Sequence, residues 1–577
     1  MTGAYRWLIP LAACVLALTA SVAAQDRPDE LRLRDGTVIL GKVVEVDRNT
    51  VVFRTDAGVR EFKRSEVRAI FFEGMPADTG GETTPGYTAD PPLKIQRVIT
   101  LRQITNNRVA DAGKFEPDFA KMSGDGSKIA FWAHRSGLHT INSDGSDLRL
   151  IGPSGADFDR ADPMFTELSH DGKYVYWQNG QSGPVFRLNS DGSGKTLLVR
   201  TGSEYEPLRL REGGKRLFIG SRGFIASFDT EGRGDYREIL NQDKISPLID
   251  VPNNGDGRTH FTGFDVSEDG TRIVANIFIP REMKRQLCAF NGDGSGFRVI
   301  TRTDFEPSYA QITPDGRQIL FSKPGDNNWL LINWDGSGLR ELHLPYFGAN
   351  STTNQRYRKI SPDGQWFAYQ SANDGAAGEI IAKMDASTRF EPYTRWIGFD
   401  NREDVLFSGS GVASYSSDLK RFVYVKAHGR KQLVVGDINP RSSLGVPVLT
   451  NISFSGSLST NPQVPAHVGS VRARVKAGTG DVLRVVYALN PMITAAPQHP
   501  AKWNWGGGWY ALQGTHILAD DGKNGDAAAG DGMFTNTAFS PHPSDYKPPA
   551  GRHSMRIIAH DERNAVIVDV DGVEIRN

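Results

Sequence analysis

Two cysteines in 577 residues leave little thiol chemistry, and the first, Cys14, falls in an amino-terminal stretch built like an export signal. Arg6 supplies its positive charge, residues 7–18 its apolar run, and Val22, Ala23 and Ala24 a small-residue cleavage site. Cleavage near Ala24 leaves Cys288 as the sole thiol and excludes an intramolecular disulfide. Cys288 sits in an apolar run with Leu287, Ala289 and Phe290, which reads as a buried structural position. Net charge is lacking as well: 67 Lys and Arg balance 67 Asp and Glu. That balance leaves no electrostatic footprint for nucleic acid or an anionic membrane. Beyond residue 24 no apolar run is long enough to cross a bilayer as a helix. The expectation is a periplasmic or secreted protein with no membrane span in the mature chain.

Catalytic signatures are also missing. There is no Gly-x-Ser-x-Gly elbow, no His-Glu-x-x-His, no P-loop and no dinucleotide fingerprint. No helix-period segment of useful length interrupts the chain between about residues 96 and 445.

What fills that region is a repeat: a small hydroxylated residue, Asp-Gly two positions on, a polar residue, then an aliphatic and aromatic run. Asp125, Asp171, Asp269, Asp315, Asp363 and Asp418 mark its copies, with Gly213 standing for a degenerate third copy. The steps between marks are 46, 42, 56, 46, 48 and 55 residues. A second turn follows each mark by about twenty residues, as at Asp144-Gly145, Asp191-Gly192, Asp293-Gly294 and Asp335-Gly336. Asp-Gly between alternating apolar runs is a hairpin signal, because Gly accepts the positive φ of a tight turn. Two hairpins and four short strands per unit describe one blade, and a tandem series of such units describes a β-propeller. Seven marks favour seven blades; six remains open, since the third and seventh copies are degenerate.

At these residues the chain resembles the TolB-like, WD40-like propeller repeats of bacterial envelope proteins, over residues 96–445. The match is best from Phe305 through Glu306, Pro307 and Tyr309 to Asp315-Gly316. The resemblance implies an all-β propeller acting as a binding platform or as a domain of an enzyme. Residues 28–74 carry alternating strands broken by Asp35-Gly36, Asn49 and Gly58, and resemble an SH3-like or Sm-like small barrel. Its Lys63, Arg64 and Arg68 read as a solvated face in an exported protein. Residues 75–95, rich in Gly, Thr and Pro, read as a linker. In 446–577 the Asp-Gly phasing stops and longer alternating strands resemble an Ig-like β-sandwich. The fold class expected is therefore all-β: a propeller flanked by a small β-barrel and a β-sandwich.

Three constellations are candidate sites. Asp520, Asp521, Asp526 and Asp531 lie on a loop with Gly522, Gly525, Gly530 and Gly532. Hard cations need several oxygen ligands on a sharply folding chain, so Ca²⁺ is the cofactor to consider. The loop is similar to a signature of Ig-like accessory domains in secreted bacterial proteins. The bland reading is an Asx-turn loop whose Asp side chains cap their own backbone. Secondly, Glu116, Asp162, His260, Glu306 and Asn354 stand nine residues before their phase marks, and Glu206 stands seven before Gly213. This is where the innermost strand begins, so the six are expected around one mouth of the channel, as a ligand-binding ring or as inter-blade pairing partners. Thirdly, Trp503, Trp505 and Trp509 flank a triple glycine and would stack on sugars or pack onto the sandwich. Trp132, Trp177 and Trp366 follow the repeat phase and read as blade core.

The reading is an exported, non-catalytic binding scaffold whose channel face takes a protein or glycan partner in the envelope or outside the cell. The alternative is a metal-dependent polysaccharide lyase or hydrolase with a channel-mouth active site. It follows from resemblance to oligogalacturonate-lyase propellers, which implies His ligands at the mouth.

Overall fold

The computed structural model describes residues 29–33, 37–46, 50–55, 58–63, 66–71, 93–105, 116–134, 136–152, 166–179, 183–200, 208–249, 259–279, 284–301, 307–322, 329–342, 359–371, 378–390, 392, 413–426, 431–441, 445–456, 458–459, 469–482, 484–490, 517–521, 523, 528–536 and 551–576. The chain divides into two compact units, residues 1–82 and 83–577. The signal segment and Trp503, Trp505 and Trp509 lie outside the described residues.

In the first unit, Asp29–Leu33, Val38–Val46, Thr50–Thr55, Gly58–Lys63 and Val67–Phe71 form one antiparallel sheet. Strands one to four make a meander, and the fifth returns to pair with the first, Leu31 opposite Ile70. Phe53 and Phe62 are buried in it.

In the second unit six four-stranded antiparallel sheets follow one another in the phase of the repeat. Blade 1 runs from Glu116–Met122 to Arg149–Leu150, and blade 2 from Thr166–Leu168 to Thr196–Val199. Blade 3 runs from Arg209–Arg211 to Arg237–Asn241, and blade 4 from His260–Val266 to Arg298–Val299. Blade 5 runs from Ser308–Ile312 to Arg340–Leu342, and blade 6 from Lys359–Ile360 to Arg389–Phe390. Blade 7 contributes Ser414–Tyr415, Arg421–Val425 and Leu433–Ile438, and its fourth strand is Lys94–Gln103, from the other end of the region. The described residues therefore form seven blades. The 56-residue step after blade 3 holds a short helix, Gln242–Ile245, capped by Asn241 Oδ1 accepting from the Lys244 N–H at 2.9 Å.

Consecutive residues within a blade face opposite neighbours, so a middle strand is apolar throughout. In blade 5, Ile319 and Phe321 pack against Val274, Leu287 and Ala289 of blade 4, while Leu320 packs against Phe367 and Tyr369 of blade 6. Each such side chain contributes about 1.5–3 kcal/mol when fully buried. Trp132 and Trp177 share one of these inter-blade cores, and Cys288 is fully buried in another. Burial pushes the Cys288 thiol's pKa far up.

The carboxyl-terminal strands do not stand apart. Asn564–Arg576 pairs with the free edge of Lys94–Gln103, so blade 7 continues into Gly551–His560, Arg484–Asn490 and Ile517–Leu518, and with Leu458–Ser459 pairing parallel to Asn564–Arg576 they form one nine-stranded sheet. A second sheet, Val448–Gly456, Gly469–Lys476 and Met533–Asn536, packs on the first to make a sandwich. Its core joins Leu449, Val471 and Ala473 to Val485, Ile557, Val566 and Val568. The opposite side of the long sheet presents Ile558, Ala565 and Ile567 to Ala368, Ile381 and Phe390 of blade 6. The segment expected as a linker thus ends before Lys94, where the shared strand begins.

Candidate functional site

The inner strands end in the Asp-Gly turns, whose construction repeats. Ser123 Oγ donates to Asp125 Oδ1 at 2.6 Å and accepts the Lys128 N–H at 3.0 Å. Ser267 with Asp269, Thr313 with Asp315, Ser361 with Asp363 and Ser416 with Asp418 do the same. The Gly after the carboxylate takes φ of 72° at Gly126 and 73° at Gly270. The Asp residues are hairpin formers, as the sequence implies. Burial alone would raise the Asp171 carboxyl; hydrogen bonds from Lys173 and Ser169 instead hold it down at about 2. Blade 3 lacks the pair and turns on Glu212 and Gly213, both at positive φ.

The turns also lace the blades together. The Asp125 N–H donates to His170 O at 2.8 Å, Glu212 N–H to Glu268 O at 2.8 Å and Glu268 N–H to Pro314 O at 3.0 Å. Ser417 N–H donates to Gly124 O at 2.7 Å and closes the ring between blades 7 and 1.

Glu116 and His260 begin the inner strands of blades 1 and 4, at the end opposite the turns. Both are half-buried, and His260 lies against Phe278 with ring centroids 5.1 Å apart. Asp162, Glu206, Glu306 and Asn354 lie outside the described residues, as does Asp526.

A different set converges on the propeller axis. Four residues before each phase mark stand Lys121, Glu167, Arg209, Asp265, Gln311, Lys359 and Ser414, one per inner strand. The positions on either side, such as Ala310 and Ile312, are buried against the preceding blade. The intervening side chains therefore point the other way, round the channel wall toward the next blade. Asp265 shows this: Arg209 Nε donates to its Oδ1 at 2.9 Å and Arg211 Nη2 at 3.0 Å, while the Ile312 N–H of blade 5 donates to its Oδ2 at 3.1 Å. Ser414 Oγ likewise accepts the Met122 N–H of blade 1 at 3.0 Å.

Electrostatics reach across the axis. Burial lowers the pKa of the Lys121 ammonium; Glu167 opposes the shift, and Arg209 and Lys359 add to it. Burial lowers Lys359 too, opposed by Glu167, Glu268 and Asp265 and assisted by Arg211. Side chains from blades 1, 2, 3, 4 and 6 thus sense one another. By area Lys121, Glu167, Arg209, Arg211 and Lys359 are only half-buried, so solvent reaches them along the channel. The nine-residue offset missed this set; the same ruler read at four finds it.

In the Asp520 loop, Asp520 Oδ1 accepts the Gly530 and Asp531 N–H groups at 2.6 and 3.2 Å, and Oδ2 accepts the Gly532 N–H at 2.9 Å. Asp521 Oδ1 takes the Lys523 N–H at 3.0 Å, and Asp531 Oδ1 the Met533 N–H at 2.7 Å. Asp520 thus organises the loop through its backbone. Among the described residues, no three His, Cys, Asp or Glu side chains gather where they would hold a metal ion.

No protein-family model matches the chain, and no curated protein matches its sequence. Among solved structures it is similar to an oligogalacturonate lyase in complex with manganese, at 12% identity and TM-score 0.43, over 62% of this chain and 96% of that one. It is similar to an oligogalacturonate lyase from Vibrio parahaemolyticus at 10% identity and TM-score 0.42, over 60% and 95%. A third likeness is to the Swd1 β-propeller domain from Myceliophteria thermophila, at 12% identity and TM-score 0.39, over 56% and 96%.

Proposed function

We propose that this chain is an exported, non-catalytic binding protein that holds a protein or glycan partner at the channel face of its propeller. The observation that carries this reading is the convergence of Lys121, Glu167, Arg209, Arg211 and Lys359 from four blades onto one solvent-reached axis. Charges held half-buried at a converging channel are a recognition surface, because desolvated charge discriminates strongly between partners. Calcium belongs to the same reading at the carboxyl-terminal loop, held by Asp521, Asp526 and Asp531, with Asp520 spent on the backbone.

The test uses the chain from residue 25 onward, immobilised and exposed to envelope extract and to a glycan array. The reading expects a partner that is lost when Lys121 and Lys359 are both changed to Met and retained when the surface residue Lys195 is changed. Metal-dependent cleavage of a uronic-acid polymer would replace it with the lyase or hydrolase alternative.

A further inference from the structure

We infer that the carboxyl-terminal sandwich is the clasp of the propeller. Pairing of Asn564–Arg576 with Lys94–Gln103 holds blade 7 and its seam with blade 1 closed, so that blade 7 and the sandwich open as one unit. This goes beyond the channel-face reading and does not rest on it.

The outer strand of a blade is a sheet edge, and the other blades build that edge for water. Arg237 and Glu238 on the outer strand of blade 3, and Arg340 and Glu341 on that of blade 5, are exposed. The outer strand of blade 7 is built otherwise: Val98, Ile99, Thr100 and Leu101 are all fully buried. Five of its residues, Ile99 to Gln103, pair with Leu433–Ile438, whereas eight, between Lys94 and Arg102, pair with Asn564–Arg576. Lys94, Ile95, Arg97 and Val98 have strand partners on the sandwich side alone.

The side chains divide in the same way. Leu93, Ile95 and Val98 are buried in the sandwich core with Leu449, Val566 and Val568. Ile99 and Leu101 pack with Phe422, Tyr424 and Val434 of blade 7, in a cluster that Ile558, Ala565 and Ile567 of the sandwich complete. Blade 7 therefore has no finished core until the sandwich strands are in place. Without them a row of apolar side chains and an unpaired edge would face water.

The shared strand passes this dependence on to the ring. Its Arg102 donates from Nη2 to Ser143 O of blade 1 at 3.3 Å. Arg421 of blade 7 donates from Nη1 to Ser143 Oγ at 3.1 Å and to Gly126 O at 3.2 Å. Asp437 holds Arg421 there, accepting from its Nε at 2.5 Å, and stands opposite Thr100 of the shared strand. Arg97 ties the same strand to blade 6, over the Phe390 ring. Release of the sandwich thus loosens the strand on which the contacts between blades 7 and 1 depend.

Amide hydrogen exchange of the full chain from residue 25, read by mass spectrometry in rising sub-denaturing urea, tests the clasp. In the wild type, peptides covering 94–103, 421–438 and 564–576 should lose protection together, with one urea dependence. They should do so ahead of Arg216–Gly220 and Arg272–Ile279, the second strands of blades 3 and 4. Val568→Asp places a charge in the sandwich core, with the shared strand between it and blade 7. It should speed exchange in 421–438 about tenfold or more, while blades 3 and 4 stay within about twofold of wild type. Val568→Ala should give the same pattern at smaller size, should the Asp variant fail to fold. Blade 7 peptides that keep wild-type protection in a variant whose 551–576 peptides have lost theirs would overturn the inference. So would separate urea dependences for 421–438 and 564–576 in the wild type, or an equal loss in every blade.

Discussion

The second unit places a carboxylate between two guanidiniums twice, to different ends. At the junction of propeller and sandwich, Arg556 donates to Asp569 through Nε at 2.7 Å and Nη2 at 3.0 Å, and Arg97 donates to the same carboxylate at 3.3 Å. Arg556 and Asp569 are wholly buried, and Arg97 lies 3.4 Å over the Phe390 ring. Burial pushes Arg97 down to about 10, with Asp569 opposing the shift. In the channel, Arg209 and Arg211 hold Asp265 at similar distances, yet their side chains stay 14% and 22% exposed. In the first cluster Arg556 and Asp569 are closed to solvent, only Arg97 keeping 12% side-chain exposure, and the cluster joins the shared strand Lys94–Gln103 to the sandwich. The second opens onto Lys121, Glu167 and Lys359. Equal chemistry thus serves cohesion where water is excluded and, on the channel-face proposal, recognition where water is admitted.

The comparison breaks most visibly if the buried cluster loses its carboxylate. Asp569→Ala should cost about 3–5 kcal/mol, since two guanidiniums are left uncompensated in an apolar setting. Denaturant melts read this directly, and a loss under 1 kcal/mol would mean the cluster is not holding the junction. Asp265→Ala should cost less, about 1–3 kcal/mol, because channel water rehydrates Arg209 and Arg211. If the two losses prove equal, solvent access is not what separates the clusters.

Asp520→Ala should cost about 1–2 kcal/mol, from three backbone donors left without their acceptor. Melting in calcium and in chelator, repeated on that variant, separates backbone organisation from cation binding. A calcium-dependent rise in Tm that survives Asp520→Ala and vanishes in Asp531→Asn would place the ion on the other carboxylates.

Acid should act on the turns. The turn carboxylates Asp125, Asp171 and Asp269 have folded pKa values below their unfolded ones. Their contribution is complete above the unfolded value of about 3.9 and is lost as pH falls through the folded value, about 2 for Asp171. Stability should therefore decline gradually between about pH 4 and pH 2, followed by circular dichroism. A flat profile over that window would show that the Ser/Thr-to-Asp bonds do not stabilise the turns.

Much of the propeller was legible because its turns are local. Ser123, Asp125 and Gly126 form a closed hydrogen-bonded unit within four residues of chain, and the repeat copies it. The blade 4 strands fall where the alternation of apolar residues puts them, and Cys288 and Trp177 are buried as their apolar surroundings imply. The degenerate third copy still makes a blade, because Leu217, Phe218 and Ile219 fill both its faces. The candidate site was harder to read. Nothing near Lys121 in sequence hints at Lys359; each stands in an inner strand as an ordinary polar alternation.

The sequence by itself determined the turns, the blade period and the apolar faces, since each depends on residues a few positions apart. Tertiary structure alone decided two things. One is that Lys94–Gln103 both completes blade 7 and joins the sandwich, pairing Ile99 with Ile438 on one side and Ile567 on the other. The other is which polar residues meet at the axis. Both depend on ring closure, which sums small blade-to-blade rotations over more than three hundred residues and brings together side chains that no local pattern relates.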